Sequence, residues 1–191
     1  MIYIIVALSI EAKPLIHHYK LQKEEGFFCN KEILLCISQV GFNNALTATQ
    51  KLFSYKKPQK EDILLNIGLC GAPLEYKIGS LLIIDTLLYQ SQVQKLSLHV
   101  NHSFQTSSLT TVDTVQSNSY KTAVDMEAFA IFHTVSKFIA IEKMFFIKIV
   151  SDHFQPHTLD KNLAYGLINK QIKNITSFIS TLQRNQQCQQ Q

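Results

Sequence analysis

Three carboxylates stand at places where a folding chain has reason to avoid charge. Glu11 follows the apolar run IYIIVAL (2–8), Glu127 interrupts AVDMEAFAIFHTVSKF (123–138), and Asp152 closes the segment FFIKIVSD (145–152). Each has an ordinary local explanation. Glu11 fits the first turn of a helix with Ser9 as its N-cap, Glu127 fits the first turns of another capped by Thr122 or Asp125, and Asp152 fits a turn or an N-cap. Glu127 is less ordinary, because its neighbours Met126, Ala128, Phe129 and Ala130 promise burial, which costs free energy unless something binds the carboxylate. Three carboxylates in different surroundings can divide acid, base and electrostatic work among themselves, provided the fold brings them together.

The elements that would do so alternate along the chain. A buried strand over 2–8 leads into a helix over 10–20, and GFFCN and EILLCISQV read as a hairpin turning at Asn30-Lys31. GFNNALTATQKLFSY (41–55) turns and starts a helix, and DILLNIG (62–68) is a strand running into a loop, LCGAPLEYKIGS. LLIIDTLLY (81–89) is a strand. The polar stretch 90–122 holds one clear strand-like piece, SSLTTVDTV (107–115). A helix over 123–138, a strand over 144–150 and an amphipathic helix over 159–183 complete the pattern, with a polar disordered tail from 185 to 191. Alternation without a repeat predicts an α/β fold, a three-layer sandwich with a mixed central β-sheet flanked by helices, in a single domain over 1–184. In such sheets ligands gather beyond the strand ends, where Glu11, Gly68 and Asp152 would all emerge.

Bulk composition narrows the function classes. The 191 residues are 46% hydrophobic and 17% charged, as in a compact domain. The net charge of +4 is spread over scattered lysines, with no motif that reads nucleic acid. The apolar N-terminal run is too short to span a membrane and lacks a basic flank, so neither a membrane nor a secretory route is expected. Cys29, Cys36, Cys70 and Cys188 have no metal spacing and suit free thiols in a reducing, cytoplasmic setting. The seven histidines form no metal set. His17 and His18 share a helix end, His133 reads as a core residue, and His153 and His157 flank a proline beside Asp152.

The segments VALSIEA, VGFNNA, NIGLCGAP with IGSLLIID, VDTV, AVDMEAFAIF and FFIKIVSD resemble, in order and from residue 2 to about 180, those of the nucleoside phosphorylase and nucleosidase superfamily. The likeness is greatest to the methylthioadenosine/S-adenosylhomocysteine nucleosidases. It implies that Glu11 readies the attacking water, that Met126 and Glu127 hold the ribose, and that Asp152, beside Ser151, protonates or hydrogen-bonds the purine N7. By the same likeness Gly68 and Gly71 let the backbone approach the sugar, no cofactor is needed, and the protein forms a homodimer or higher homo-oligomer whose neighbouring subunits close the 5′ side of the pocket. For this chemistry Asp152 must be protonated or meet a proton, which apolar neighbours such as Phe145, Phe146 and Ile149 would favour, while Glu11 and Glu127 should be ionised.

The expected activity is hydrolysis of the N-glycosidic bond of a purine nucleoside, with a 5′ group of the methylthioadenosine, S-adenosylhomocysteine or futalosine type. A phosphate-dependent phosphorylase is the second reading, weakened by arginine usage: of eighteen basic residues only Arg184 is Arg. A nucleoside-binding protein with little catalysis is the third. Three substrate-facing positions depart from the family: Lys148 stands for an Arg, Leu69 for a Ser in the glycine loop, and Val115 for the aromatic residue that stacks on the base. The stretch between Asp113 and Glu127 is also about ten residues shorter than the resemblance implies.

Overall fold

The computed structural model describes residues 1–114, 120–155 and 160–188, with side chains as far as Asn185. Val115 and His157 lie outside the described residues. The described chain forms strands β1 (Ile2–Val6), β2 (Gln22–Glu24), β3 (Phe27–Cys29), β4 (Ile33–Ile37), β5 (Ile63–Gly71), β6 (Leu81–Tyr89), β7 (Gln92–Lys95), β8 (Gln105–Thr111), β9 (Ala123–Asp125) and β10 (Met144–Asp152). Its helices are α1 (Ser9–Tyr19), α2 (Phe42–Tyr55), α3 (Ala128–Val135) and α4 (Lys161–Cys188), with a short 3-10 turn at Ile141–Lys143. None is long and apolar enough to cross a membrane.

The strands make one mixed sheet. β1 lies parallel between β4 and β5, β5 lies parallel to β10, and β6 is antiparallel to β10 but parallel to β8. A single antiparallel pair, Gly71 with Val124, joins β5 to β9 and closes β5, β10, β6, β8 and β9 into a ring. The alternation of side chains sorts the core into two faces. Ile2, Ile4 and Val6 join Phe145, Ile147 and Ile149 under α1 and α4, while Tyr3, Ile5, Leu64 and Phe146 face α2 and α3. Both faces are covered, which explains the near-continuous apolar runs of the central strands.

Several elements differ from the sequence reading, among them β2 (Gln22–Glu24), which was not expected. β5 continues through Leu69, Cys70 and Gly71, because these pair with Ile149, Val150 and Asp152 of β10; tertiary pairing overrides the loop signal of the glycines. The expected helix over 123–138 starts only at Ala128, since Ala123–Asp125 is drawn into the sheet between β8 and β5. The polar stretch after residue 90 also carries β7, paired to β6. At the other end α4 runs through Cys188, past the start of the expected tail, consistent with glutamine's good helix propensity.

Candidate functional site

Glu11, Glu127 and Asp152 line one cavity of about 190 Å³ beyond the carboxyl ends of β1, β5 and β10. Leu69, Gly71, Met126 and Ser151 line it too. Gly68 and Lys148 stand behind this lining.

Glu11 is fixed by its own helix start. Leu8, not Ser9, occupies the N-cap position and offers no side-chain acceptor, so Glu11 reaches back and its Oε2 accepts the N–H groups of Ala7 (3.0 Å) and Leu8 (2.8 Å). Its other oxygen, Oε1, accepts the N–H of Leu69 at 3.0 Å. Burial pushes the Glu11 pKa up, opposed by these three hydrogen bonds and by the charge of Lys148. A Cβ on Gly68 would lie 3.4 Å from Glu11 Oε1 and 3.7 Å from Lys148 Nζ, in ordinary contact with the ends of both side chains.

Glu127 sits at the N-cap of α3 but caps a different helix. Its Oε1 accepts the N–H of Gly41 at 2.7 Å, at the start of α2, where the aligned peptide dipoles favour negative charge. Gly41 has φ 104, a conformation that glycine adopts without strain. The cap of α3 is supplied by Asp125, whose Oδ2 accepts the Ala128 N–H at 2.9 Å and whose Oδ1 accepts the Thr111 hydroxyl at 2.8 Å. Burial first, then the neighbouring charge of Asp125, pushes the Glu127 pKa up to about 7, against the pull of Lys148 and the Gly41 N–H. The expectation of a fully ionised Glu127 therefore gives way to a group that titrates near neutrality.

Lys148 is 1% exposed and its Nζ lies 2.8 Å from Asp125 Oδ2. Burial alone would lower its pKa, but the charges of Asp125, Glu127 and Glu11 outweigh that and raise it. It is a counter-charge beneath the cavity and not a cation presented to a ligand.

Asp152 owes its aim to a bulge. Val150 pairs with Cys70 and Asp152 with Gly71, which leaves Ser151 as the extra residue on β10. Ser151 Oγ is 3.0 Å from the Cys70 carbonyl and 2.6 Å from Asp152 Oδ2, two acceptors for its one proton. Asp152 Oδ1 accepts the Gln155 N–H at 2.8 Å. Phe154 lines the cavity with Asp152, and a Cβ on Gly71 would meet both side chains. Phe145 and Phe146 lie six or seven residues back, roughly 20 Å along the strand.

The expected capping role of Asp125 holds, whereas its pairing with Lys148 was missed, as were Gly41 and Phe154. The pairing was legible only as an acid two residues before Glu127, and the Gly41 contact is made by a backbone N–H. Phe154 carried no local signal. Cys70 also lines the cavity, but burial raises its pKa to about 12, so it is a thiol and not a nucleophile.

No protein-family model matches the chain, and no curated protein matches it by sequence. Solved structures match it over nearly all its length. The 5′-methylthioadenosine/S-adenosylhomocysteine nucleosidase of Helicobacter pylori, bound to butyl-thio-DADMe-Immucillin-A, superposes with a TM-score of 0.77 at 16% identity, covering 94% of this chain and 97% of that one. The S. pneumoniae enzyme of the same name, with the transition-state inhibitor MT-ImmA, gives 0.76 at 17% identity, covering 95% and 99%. Futalosine hydrolase of Helicobacter pylori gives 0.68 at 15% identity, covering 96% and 97%. The chain has the nucleosidase fold, with a sequence far removed from these structures.

Proposed function

We propose that this protein hydrolyses the N-glycosidic bond of a purine nucleoside carrying a 5′ substituent. The observation that carries the proposal is the meeting of Glu11, Glu127 and Asp152, from three separate segments, on one cavity in this fold. Water adds its hydroxyl to C1′ and its proton passes to Glu11, whose raised pKa makes it the stronger base. The C1′–N bond breaks with its electrons going to the purine, which takes a proton at Asp152. In its ionised form Glu127 accepts hydrogen bonds from the sugar hydroxyls, and that charge stabilises the cationic sugar of the transition state. The sulfur-bearing ligand named for the H. pylori structure supports a substituent of the alkylthio type, for which Val40 and Met126 offer apolar lining here.

Water is favoured over phosphate by charge. No Arg or Lys is among the described lining residues, and Lys148 is committed to Asp125. Arg184 lies on α4, exposed, with its guanidinium donating to Thr181 Oγ1 of the same helix. A phosphate dianion would meet carboxylates with no cation among the described lining residues to offset them.

We also read residues 1–184 as one cytoplasmic domain acting as a homodimer or larger homo-oligomer. Val40, 42% exposed at the cavity, is the apolar residue that a second copy would cover.

The test is free-base release by chromatography from methylthioadenosine, S-adenosylhomocysteine, futalosine, adenosine and inosine, with and without phosphate, beside Asp152→Asn. Release without phosphate, lost in the variant, supports the proposal. Release only with phosphate makes the protein a phosphorylase, and saturable binding without release makes it a nucleoside-binding protein. Full activity in Asp152→Asn overturns the assignment of the acid.

A further inference from the structure

Phe154 lies two residues beyond the end of β10 with φ 61, in the left-handed region that bulky side chains rarely occupy. The surrounding structure holds it there. The Gln155 N–H donates to Asp152 Oδ1 (2.8 Å), the Ala72 N–H to the Asp152 carbonyl (3.0 Å), and His153 Nδ1 to the Ala72 carbonyl (2.9 Å). Ahead of Phe154 the turn is thus fastened to Ala72 at the end of β5, and behind it Gln155 is tied back to Asp152. Its ring packs at the rim of the sheet, 5.7 Å from the ring of Tyr120 at an interplanar angle of 56°. Gly71 allows this approach, since a Cβ there would lie 3.3 Å from Phe154 Cδ1.

Among the described lining residues of the cavity, Phe154 is the one aromatic side chain. A strained aromatic, over-determined by hydrogen bonds and facing the same space as Asp152, is what a clamp for a flat ligand requires. We infer that Phe154 is the stacking wall for the base, set by the turn after β10 so that a purine held at its edge by Asp152 lies with its face against the ring. The inference rests on the proposed function and names the residue that selects a planar heteroaromatic leaving group. It also accounts for Val115, which stands where the resemblance puts an aromatic: the chain supplies the ring from a different segment.

The sequence contains no Trp, so Phe154→Trp places the only indole of the protein at the proposed wall. Titration with adenine and with hypoxanthine is expected to quench its fluorescence saturably, whereas ribose leaves it unchanged. In steady-state base release, Phe154→Leu is expected to raise KM about 10- to 100-fold, the range of a lost base–aromatic stack, with a much smaller change in kcat. Phe154→Tyr restores KM. The inference is overturned if the wild type releases base but Phe154→Leu keeps its KM, or if a purine that inhibits the enzyme leaves the Phe154→Trp signal unmoved. If the wild type neither binds nor cleaves any purine nucleoside, the proposed function itself fails and this inference falls with it, an outcome visible before any variant is compared.

Discussion

β5 and β10 run side by side through two different chemistries. Over Leu64–Ile67 and Met144–Ile147 nearly every side chain enters one of the two apolar cores, and Asn66, whose Nδ2 donates to the Ile5 carbonyl, is the polar exception. One residue later the register pairs Gly68 with Lys148, and three pairs on it sets Gly71 against Asp152. Burial does not separate the halves of β10, which is buried from end to end, and in β5 only Leu69 and Gly71 are half-buried. The halves differ in where the partners come from. In the first half neighbours on the sheet and its covering helices suffice, whereas in the second Lys148 needs Asp125 from β9 and Asp152 needs the turn that follows it. A site in this fold is the stretch of a core strand whose side chains are completed by other segments.

The widest test sets one residue from each half against the other. Phe146→Ala removes a fully buried ring and is expected to cost about 3–5 kcal/mol of stability in urea unfolding, with normal base release from the molecules that remain folded. Asp152→Asn is expected to do the reverse. Base release should fall by about 10²–10⁴-fold, the usual contribution of a positioned acid, while the unfolding midpoint stays close to wild type. An Asp152→Asn protein that loses stability and keeps activity would erase the distinction.

Lys148 lies on the boundary. Replacing it with Met leaves Asp125 buried without its counter-charge, and the expected loss is about 3–5 kcal/mol. Lys148→Met combined with Asp125→Asn should recover part of that loss, because the amide oxygen still accepts the Ala128 N–H while the uncompensated charge is gone. If the double variant is no more stable than the single one, the pair is not a unit.

The apolar half was legible in the sequence and the site half only in part. IYIIV, DILLNI and MFFIKIV announce buried strands by composition, and each is a central strand of the sheet. Glu11, Glu127 and Asp152 stood out because acids are rare after such runs. Their partners did not, since a backbone N–H such as that of Gly41 or Leu69 has no residue type to recognise it by. Ala123–Asp125 was misread as helix because a three-residue strand is too short for alternation to register, and its pairing with β8 depends on contacts that local sequence does not encode.

Glu127 makes the comparison dependent on pH. Its pKa is about 7 in the folded protein against an ordinary 4.5, so the folded state binds the proton more tightly than the unfolded chain. Stability is therefore fully present below about pH 4.5 and is lost as pH rises through 7. Glu127→Gln should remove most of this slope and leave the protein more stable than wild type above pH 7, by up to about 2–3 kcal/mol. The raised pKa of Glu11 acts in the same direction and leaves the variant a residual slope. The same substitution should weaken substrate binding, because an uncharged amide cannot match the carboxylate's grip on hydroxyls. A variant with the wild-type slope in thermal unfolding from pH 4 to 8 would show that Glu127 is ionised throughout.

The smallest expected effect separates two glycines on one strand. Gly71→Ala puts a methyl group 3.3 Å from Phe154 Cδ1 and 3.4 Å from Asp152 Oδ1, a fit that is tight by tenths of an ångström. The carboxylate, tied to Ser151 and the Gln155 N–H, has little freedom to yield, so the ring must move. Such crowding should cost about 1 kcal/mol of stability, at the low end for overpacking, and raise KM for the nucleoside by disturbing the stacking wall. Gly68→Ala meets Glu11 Oε1 at 3.4 Å and Lys148 Nζ at 3.7 Å, ordinary contacts with side-chain ends. It should leave KM nearer to wild type and act chiefly on kcat through Glu11. Steady-state base release resolves the two. If Gly68→Ala raises KM while Gly71→Ala does not, the base lies on the Glu11 side of the cavity, and the division of labour between Phe154 and the buried ion cluster must be reversed.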